Sequence, residues 1–180
     1  MVDEIQSGMS RTGKWFGFQH EEIKPDVMTL AKALGNGVPI GACLAAEGVS
    51  GVLKAGTHGS TFGGNPLSTR AGLAVVEAME QGDIKRNAEK MGHYLHSQLA
   101  EGLVSVAGVM TVRSKGLMLG IELDRDCGQL VMQALEAGLL INVTAGNVIR
   151  LLPPLTLTPE QADEISRILI PMITAFLESS

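Results

Sequence analysis

Pro25-Asp26-Val27-Met28-Thr29-Leu30-Ala31-Lys32-Ala33-Leu34-Gly35-Asn36-Gly37-Val38-Pro39-Ile40-Gly41 is the stretch from which the rest of the chain is read. Between Pro25 and the glycine-rich turn, Val27, Met28, Leu30 and Ala31 form a short, nearly continuous apolar run, the pattern of a strand covered on both faces. Lys32 stands where that strand ends. An ammonium directly after a buried strand is either a solvated edge residue or an amine held in a low-dielectric pocket, where desolvation favours the neutral, nucleophilic form of a lysine. The residues alone leave both open. After the Gly35-Asn36-Gly37 turn, Pro39 to Ala46 reads as a second strand of small residues.

Outward from this core, Met1-Val2-Asp3-Glu4-Ile5-Gln6 has the look of the tail of a strand, because strands usually run about 5–6 residues. The expectation is a domain that opens inside a strand whose earlier part lies elsewhere. Ser7 to Gly17, with Gly8, Gly13 and Gly17, reads as a surface loop, and Arg11 and Lys14 as its surface charges. On the carboxyl side, Gly56-Thr57-His58-Gly59-Ser60-Thr61-Phe62-Gly63-Gly64-Asn65-Pro66 is a polar loop that ends on a helix signal. Asn65 can cap free amides and Pro66 suits the first helical position, so a helix is predicted over about Leu67 to Glu80.

A second helix starts near Asp83, with Ile84, Ala88, Met91, Leu95, Leu99 and Leu103 on one face. From Val109 the period changes to that of strands, over Val109–Val112, Leu117–Leu123, Leu139–Val143 and Val148–Leu152, with a helix over about Gly128 to Ala137. Thr158-Pro159-Glu160-Gln161 is a capping box that opens a last helix running to about Leu177. The fold class is α/β, with residues 1–80 as part of one domain and residues 81–180 as a linking helix and a small α+β domain.

Composition limits what this can be. A 180-residue chain that is 45% hydrophobic and 18% charged is expected to be globular. A net charge of −5 and scattered cations argue against nucleic-acid and membrane-surface partners. No apolar run approaches the roughly 20 residues that span a bilayer. Cys43 and Cys127 lack the close Cys or His neighbours of a zinc site, so no metal is expected, and two reduced thiols suit a cytoplasmic location. Cys43 is expected to pack as a small apolar residue.

Neither glycine loop is a nucleotide motif. Gly37 and Gly41 are separated by three residues where a dinucleotide fingerprint has two, and Pro39 would interrupt the helix that must begin there. Gly59 and Gly64 have the P-loop gap, yet Asn65-Pro66 follow where Lys and Ser or Thr are required. Ser60 and Thr61 still offer hydroxyls beside glycine amides, which suits a phosphate monoester.

These polar groups together suit an aldehyde cofactor with a pyridine ring. It needs a lysine for a Schiff base, an acid against the ring nitrogen and donors for its phosphate, and Lys32, Asp3 and Thr61 supply one of each. A carboxylate on a buried strand is otherwise costly, so Asp3 is expected to have a cationic partner.

Asp3-Glu4-Ile5-Gln6-Ser7-Gly8-Met9-Ser10-Arg11-Thr12-Gly13, Leu30-Ala31-Lys32-Ala33-Leu34-Gly35, His58-Gly59-Ser60-Thr61-Phe62-Gly63-Gly64-Asn65-Pro66-Leu67 and Ile149-Arg150-Leu151-Leu152-Pro153-Pro154-Leu155 closely resemble class III aminotransferases. Within that class the wording, including Ile141-Asn142-Val143-Thr144-Ala145-Gly146-Asn147, is most similar to the acetylornithine branch. The resemblance covers essentially the whole chain and matches the carboxyl-terminal half of such enzymes.

The resemblance implies a pyridoxal-phosphate-dependent transferase of fold type I, with a remnant of its mostly parallel large-domain sheet followed by the small domain. It implies pyridoxal 5'-phosphate as cofactor, amino-acid and 2-oxo acid substrates, and a homodimer with shared sites. Lys32 would carry the cofactor and act as general base, Asp3 would pair with the ring nitrogen, Ile5 would lie on the ring and Gln6 near its hydroxyl. Thr61 would reach the cofactor phosphate and Ser60 the substrate of the neighbouring subunit. Arg150 would hold a substrate α-carboxylate; read from the residues alone, a surface arginine at a strand start is the alternative. His58 is expected to be structural, and Glu4 falls in a motif without an assigned contact.

The implied reaction moves an amino group from N-acetylornithine to 2-oxoglutarate, a step of arginine synthesis. Ornithine, succinylornithine and 4-aminobutyrate aminotransferases share most of these motifs. A different class of reading is a non-catalytic fragment that needs a partner or a second copy to cover apolar edges.

Overall fold

The structure, a computed structural model, describes residues 1–179. It divides into two compact units, one over Met1–Lys85 and a second that begins at Arg86.

The first unit is built on three strands, β1 (Val2–Asp3), β2 (Val27–Leu30) and β3 (Ala42–Ala45), in that order across the sheet. β1 runs parallel to β2, with Asp3 opposite Thr29, and β3 runs antiparallel to β2. The Lys32 strand is therefore central, as its apolar run predicts, but it is not covered on both faces. Met28 and Leu30 are buried while Val27 and Thr29 are half-buried, the alternation of a strand with one well-covered face. Helix α1 (Glu47–Ser50) is a single turn that the sequence reading did not anticipate. Helix α2 (Pro66–Gln81) starts where Asn65 and Pro66 place it: Asn65 Oδ1 accepts the Ser68 amide at 3.0 Å, and Pro66 fills the first position.

Ser7 to Gly17 is not the surface loop its composition suggests. Gly8, Met9, Ser10, Thr12 and Gly13 are buried, and the segment folds back on itself through Gly8 N–H to Glu4 O at 2.9 Å and Ser10 N–H to Trp15 O at 3.2 Å. Arg11 is correspondingly half-buried rather than a surface charge, and burial pulls its guanidinium below the usual range. Lys14 is exposed and donates to Gln19 O at 2.8 Å.

Beyond the division the chain folds as a four-stranded antiparallel sheet packed on helices. Helix α3 (Ile84–Leu103) presents Ala88, Met91, Leu95, Leu99 and Leu103, all buried, at the three- and four-residue steps read from the sequence. Each buried leucine contributes roughly 2 kcal/mol relative to exposure. Strands β4 (Val109–Lys115), β5 (Met118–Leu123), β6 (Asn142–Thr144) and β7 (Val148–Leu151) take the order β4-β5-β7-β6, with α4 (Leu130–Glu136) between β5 and β6 in the chain. Leu119, Ile121 and Leu123 of β5 and Ile149 and Leu151 of β7 join α3 in one core. Helix α5 (Pro159–Glu178) opens on the full capping box, Thr158 and Gln161 each holding the other's backbone amide. Pro171 lies inside α5 without ending it.

Candidate active site

Because β1 and β2 are parallel, their carboxyl ends lie at the same edge of the first sheet. Asp3 closes β1, and Lys32 follows β2 by two residues. Open parallel sheets bind ligands at this edge, where side chains and amides at the strand ends converge.

Lys32 is fixed by its backbone. Ala31 leaves β2 with an extended backbone, and Lys32 has a φ of +45°, in the left-handed region that a non-glycine residue occupies at a cost of about 1–2 kcal/mol. A one-turn 3-10 helix, Lys32–Leu34, holds it there through Leu34 N–H to Ala31 O at 2.9 Å and Gly35 N–H to Lys32 O at 3.2 Å. Gly35 closes the turn, where any Cβ would overlap the Val38 carbonyl. Lys32 is exposed, the solvated of the two alternatives its position left open. Lys32, Ala33, Asn36 to Ile40 line a cavity of about 380 Å³ beside it.

Asp3 is not buried, contrary to the expectation drawn from its strand; its residue is exposed. Its Oδ1 accepts the Ile5 amide at 2.9 Å and the Thr29 hydroxyl at 3.2 Å, so its orientation is set by the next turn and by β2. Ile5 and Gln6, both half-buried, begin that turn. The structure thus brings Asp3, Ile5, Gln6 and Lys32 to one sheet edge.

Ser60 and Thr61 are elsewhere in the chain, on a loop in which every residue from Gly51 to Gly64 is exposed. Ser60 Oγ accepts the Gly63 amide at 2.8 Å, and Phe62 beside it is 80% exposed. His58 is exposed on the same loop. Cys43, expected to be packed, is exposed on β3. In the second unit Arg150 is half-buried on β7 and donates to Asn142 Oδ1 at 3.0 Å.

The sequence reading left Glu4 without a role, and the structure supplies one. Glu4 is only 3% exposed, and its carboxylate accepts the Ser7 hydroxyl at 2.5 Å and the amides of Gly17 and Phe18 at 2.8 and 2.7 Å. It ties the start of the 7–17 segment to its end. A carboxylate between an apolar strand and a glycine-rich segment was the available signal. Thr29 and Asn142, which orient Asp3 and Arg150, carried no such mark.

The pattern of the aminotransferase class-III family matches residues 1–173. The chain belongs to that family. It is 59% identical over 177 residues to acetylornithine aminotransferase 1 of Bordetella bronchiseptica, covering 98% of this chain and 45% of that protein. It is 47% identical over 179 residues to the acetylornithine aminotransferase of Nitrosomonas europaea, covering 99% of this chain and 46% of that protein. The chain spans less than half the length of these relatives. Among solved structures, the ornithine aminotransferase of Toxoplasma gondii superposes with a TM-score of 0.92 at 36% identity, covering 99% of this chain and 44% of that one. The acetylornithine aminotransferase of Elizabethkingia anophelis gives 0.88 at 36% identity, covering 96% and 45%. The class-III aminotransferase fold is thus that of the pyridoxal-phosphate-dependent enzymes, here with one parallel and one antiparallel pairing in its first sheet.

The residues present fit the cofactor of class-III aminotransferases in two respects. An amine and a carboxylate stand at one strand-end edge, and the lysine's backbone is held in a strained conformation of the kind that collects at functional sites. Gly59 and Gly64 also leave open space on the Ser60-Thr61 loop, where bare amides suit a phosphate. Among the described residues no group of three or more His, Cys, Asp and Glu is placed to hold a metal ion, and no helix is long and apolar enough to cross a membrane.

Proposed function

We propose that this chain supplies the lysine-bearing part of a transaminase that moves an amino group from N-acetylornithine to 2-oxoglutarate. The observation that carries the reading is Lys32, held at a φ of +45° at the same sheet edge as Asp3. The choice of amino donor is supported by the names of the relatives at 59% and 47% identity.

Pyridoxal phosphate, when bound, supplies an aldehyde that condenses with amines and a ring that draws electrons from the substrate carbon. Lys32 Nζ would anchor that group and serve as the base that takes the proton from the substrate Cα. Asp3, oriented by Thr29 and Ile5, would pair with the ring nitrogen. Ile5 would lie on the ring and Gln6 near its hydroxyl. Thr61 would hold the phosphate and Ser60 the substrate of a neighbouring subunit. Arg150, which donates to Asn142 Oδ1, would hold a substrate α-carboxylate.

The test is glutamate formation from 2-oxoglutarate and N-acetylornithine, with ornithine, succinylornithine and 4-aminobutyrate as competing donors and Lys32→Ala as control. Turnover that survives Lys32→Ala overturns the reading, and faster turnover with another donor reassigns the substrate.

A second reading rests on the exposed apolar side chains of the first unit. Phe62, Leu67 and Val52 are 80, 77 and 72% exposed, clustered in sequence around the Ser60-Thr61 loop. On this reading the 180-residue chain is non-catalytic until a second copy or another chain covers them. Lys32 that takes up cofactor without any turnover is its signature.

A further inference from the structure

Arg113, Gly120, Arg150 and Asn142 form one row across the second sheet. Arg113 lies opposite Gly120, Gly120 opposite Arg150, and Arg150 opposite Asn142. Directly opposed residues project from the same face, and this face is the one away from the core side chains Leu119, Ile121, Ile149 and Leu151. Gly120 leaves a notch between the two arginines. A Cβ there would stand 3.6 Å from Arg113 Nε and 3.5 Å from Val148 Cγ1, so the partly exposed Arg113 side chain runs past the glycine. The notch belongs to a cavity of about 440 Å³ whose lining includes Arg113, Lys115 and Arg150, three cations, and no carboxylate.

Each arginine is held differently. Arg150 donates to the neutral amide oxygen of Asn142 at 3.0 Å. Arg113 Nη1 is 2.5 Å from Glu122 Oε2, two residues along β5 on the same face. Both partners of that ion pair are partly exposed, and pairs of this kind contribute little to stability. The pair fixes where a planar, five-donor group points, beside a cleft of matching charge.

We infer that Arg113 is a second carboxylate-binding and specificity-determining residue of this cleft, meeting a substrate carboxylate across Gly120 from Arg150, with Glu122 as the counter-charge that sets its strength. The inference rests on Arg150 as the α-carboxylate residue of the proposed function. An amino or 2-oxo acid carboxylate between two guanidinium forks gains charge-assisted hydrogen bonds from both. A residue that served only the hairpin would be indifferent to anions.

The experiment is a titration of the chain with glutarate, a dicarboxylate that cannot be transaminated, followed through the ¹⁵N-labelled arginine Nε–H signals. The backbone amide signals of the same samples report that each variant is folded. Arg113→Met and Arg150→Met are each expected to weaken glutarate binding at least fivefold, and Glu122→Gln to tighten it at least twofold. Binding that Arg113→Met leaves within twofold of wild type, while Arg150→Met weakens it, overturns the inference and leaves the Arg150 assignment standing. Absence of saturable binding, or indifference to both arginine variants, overturns both. A Glu122→Gln variant that binds no more tightly removes Glu122 from the account.

Discussion

Glu4 Oε1 accepts the backbone amide of Phe18 at 2.7 Å, closing a 14-residue loop from inside. Gly17 and Ser7 donate to the other oxygen, so one buried carboxylate satisfies three donors. Glu4→Ala leaves two amides and a hydroxyl short of an acceptor and is expected to cost about 3 kcal/mol. Glu4→Gln, which turns one acceptor into a donor facing an N–H, is expected to cost about 2 kcal/mol. Trp15, the one tryptophan of the chain, lies within this loop, so urea unfolding followed by its fluorescence reads the effect directly. A change below about 0.5 kcal/mol for Glu4→Ala would remove the clamp from the account.

How much of this was legible in the sequence depends on whether a residue acts through local pattern or through what surrounds it. Helix α2 declared itself at Asn65-Pro66, α3 in its apolar period and α5 in its capping box, because caps and periodicity are local. The turn at Gly35 was visible as a turn, but not that the Val38 carbonyl makes glycine obligatory there. Burial was the weak point. The 7–17 segment has a loop's composition yet is packed inside, with Glu4 accepting the Ser7 hydroxyl and the Gly17 and Phe18 amides and backbone bonds closing its turns. Asp3 and Cys43, on strands short enough to leave side chains uncovered, are exposed where apolar neighbours suggested burial. Lys32 was singled out by position; its left-handed backbone has no sequence signature in a lysine.

Gly92 faces the β4–β5 turn, where an added Cβ would overlap the backbone of Gly116, itself at a φ of +51°. Backbone cannot swing aside as the end of a long side chain can. Gly92→Ala is expected to destabilise the second unit by about 3 kcal/mol, against less than about 1 kcal/mol for Gly128→Ala, whose Cβ meets open space. Thermal unfolding by circular dichroism compares the two. Equal melting temperatures would contradict the close approach.

The two cysteines separate by accessibility and by thiolate supply. Cys127 is buried, and burial first, then the charge of Asp126, pushes its thiol up from the usual range. Cys43 is exposed. An aromatic disulfide reagent is expected to modify Cys43 at least about two orders of magnitude faster than Cys127 at neutral pH, the difference vanishing in urea. Comparable native rates would place Cys127 in contact with solvent.

Asp163 links α5 to α3, accepting Gln98 Nε2 at 2.6 Å and the Tyr94 hydroxyl at 2.8 Å. Those bonds, Gln98 first, hold its carboxyl below the ordinary 3.8, and the Asp163 bond raises the Tyr94 phenol above its ordinary 10.0. A lowered carboxylate stabilises above its unfolded pKa and loses that contribution as pH falls through the folded value. A raised phenol stabilises below its unfolded pKa and loses it as pH rises through the folded value. The stability gap between wild type and Asp163→Asn is therefore expected to be flat from about pH 5 to 9 and to shrink below pH 4 and above pH 10. Melting temperatures of both across that range decide it, and a gap that widens in acid contradicts the assignment.

On the proposed function, Lys32 is the residue that receives the cofactor. The most direct test incubates the chain with pyridoxal phosphate, reduces it with borohydride and maps the modified lysine by mass spectrometry, with Lys32→Ala alongside. Label confined to Lys32 and lost in the variant is the expected result. Label spread over the other lysines, or unchanged by Lys32→Ala, would contradict it.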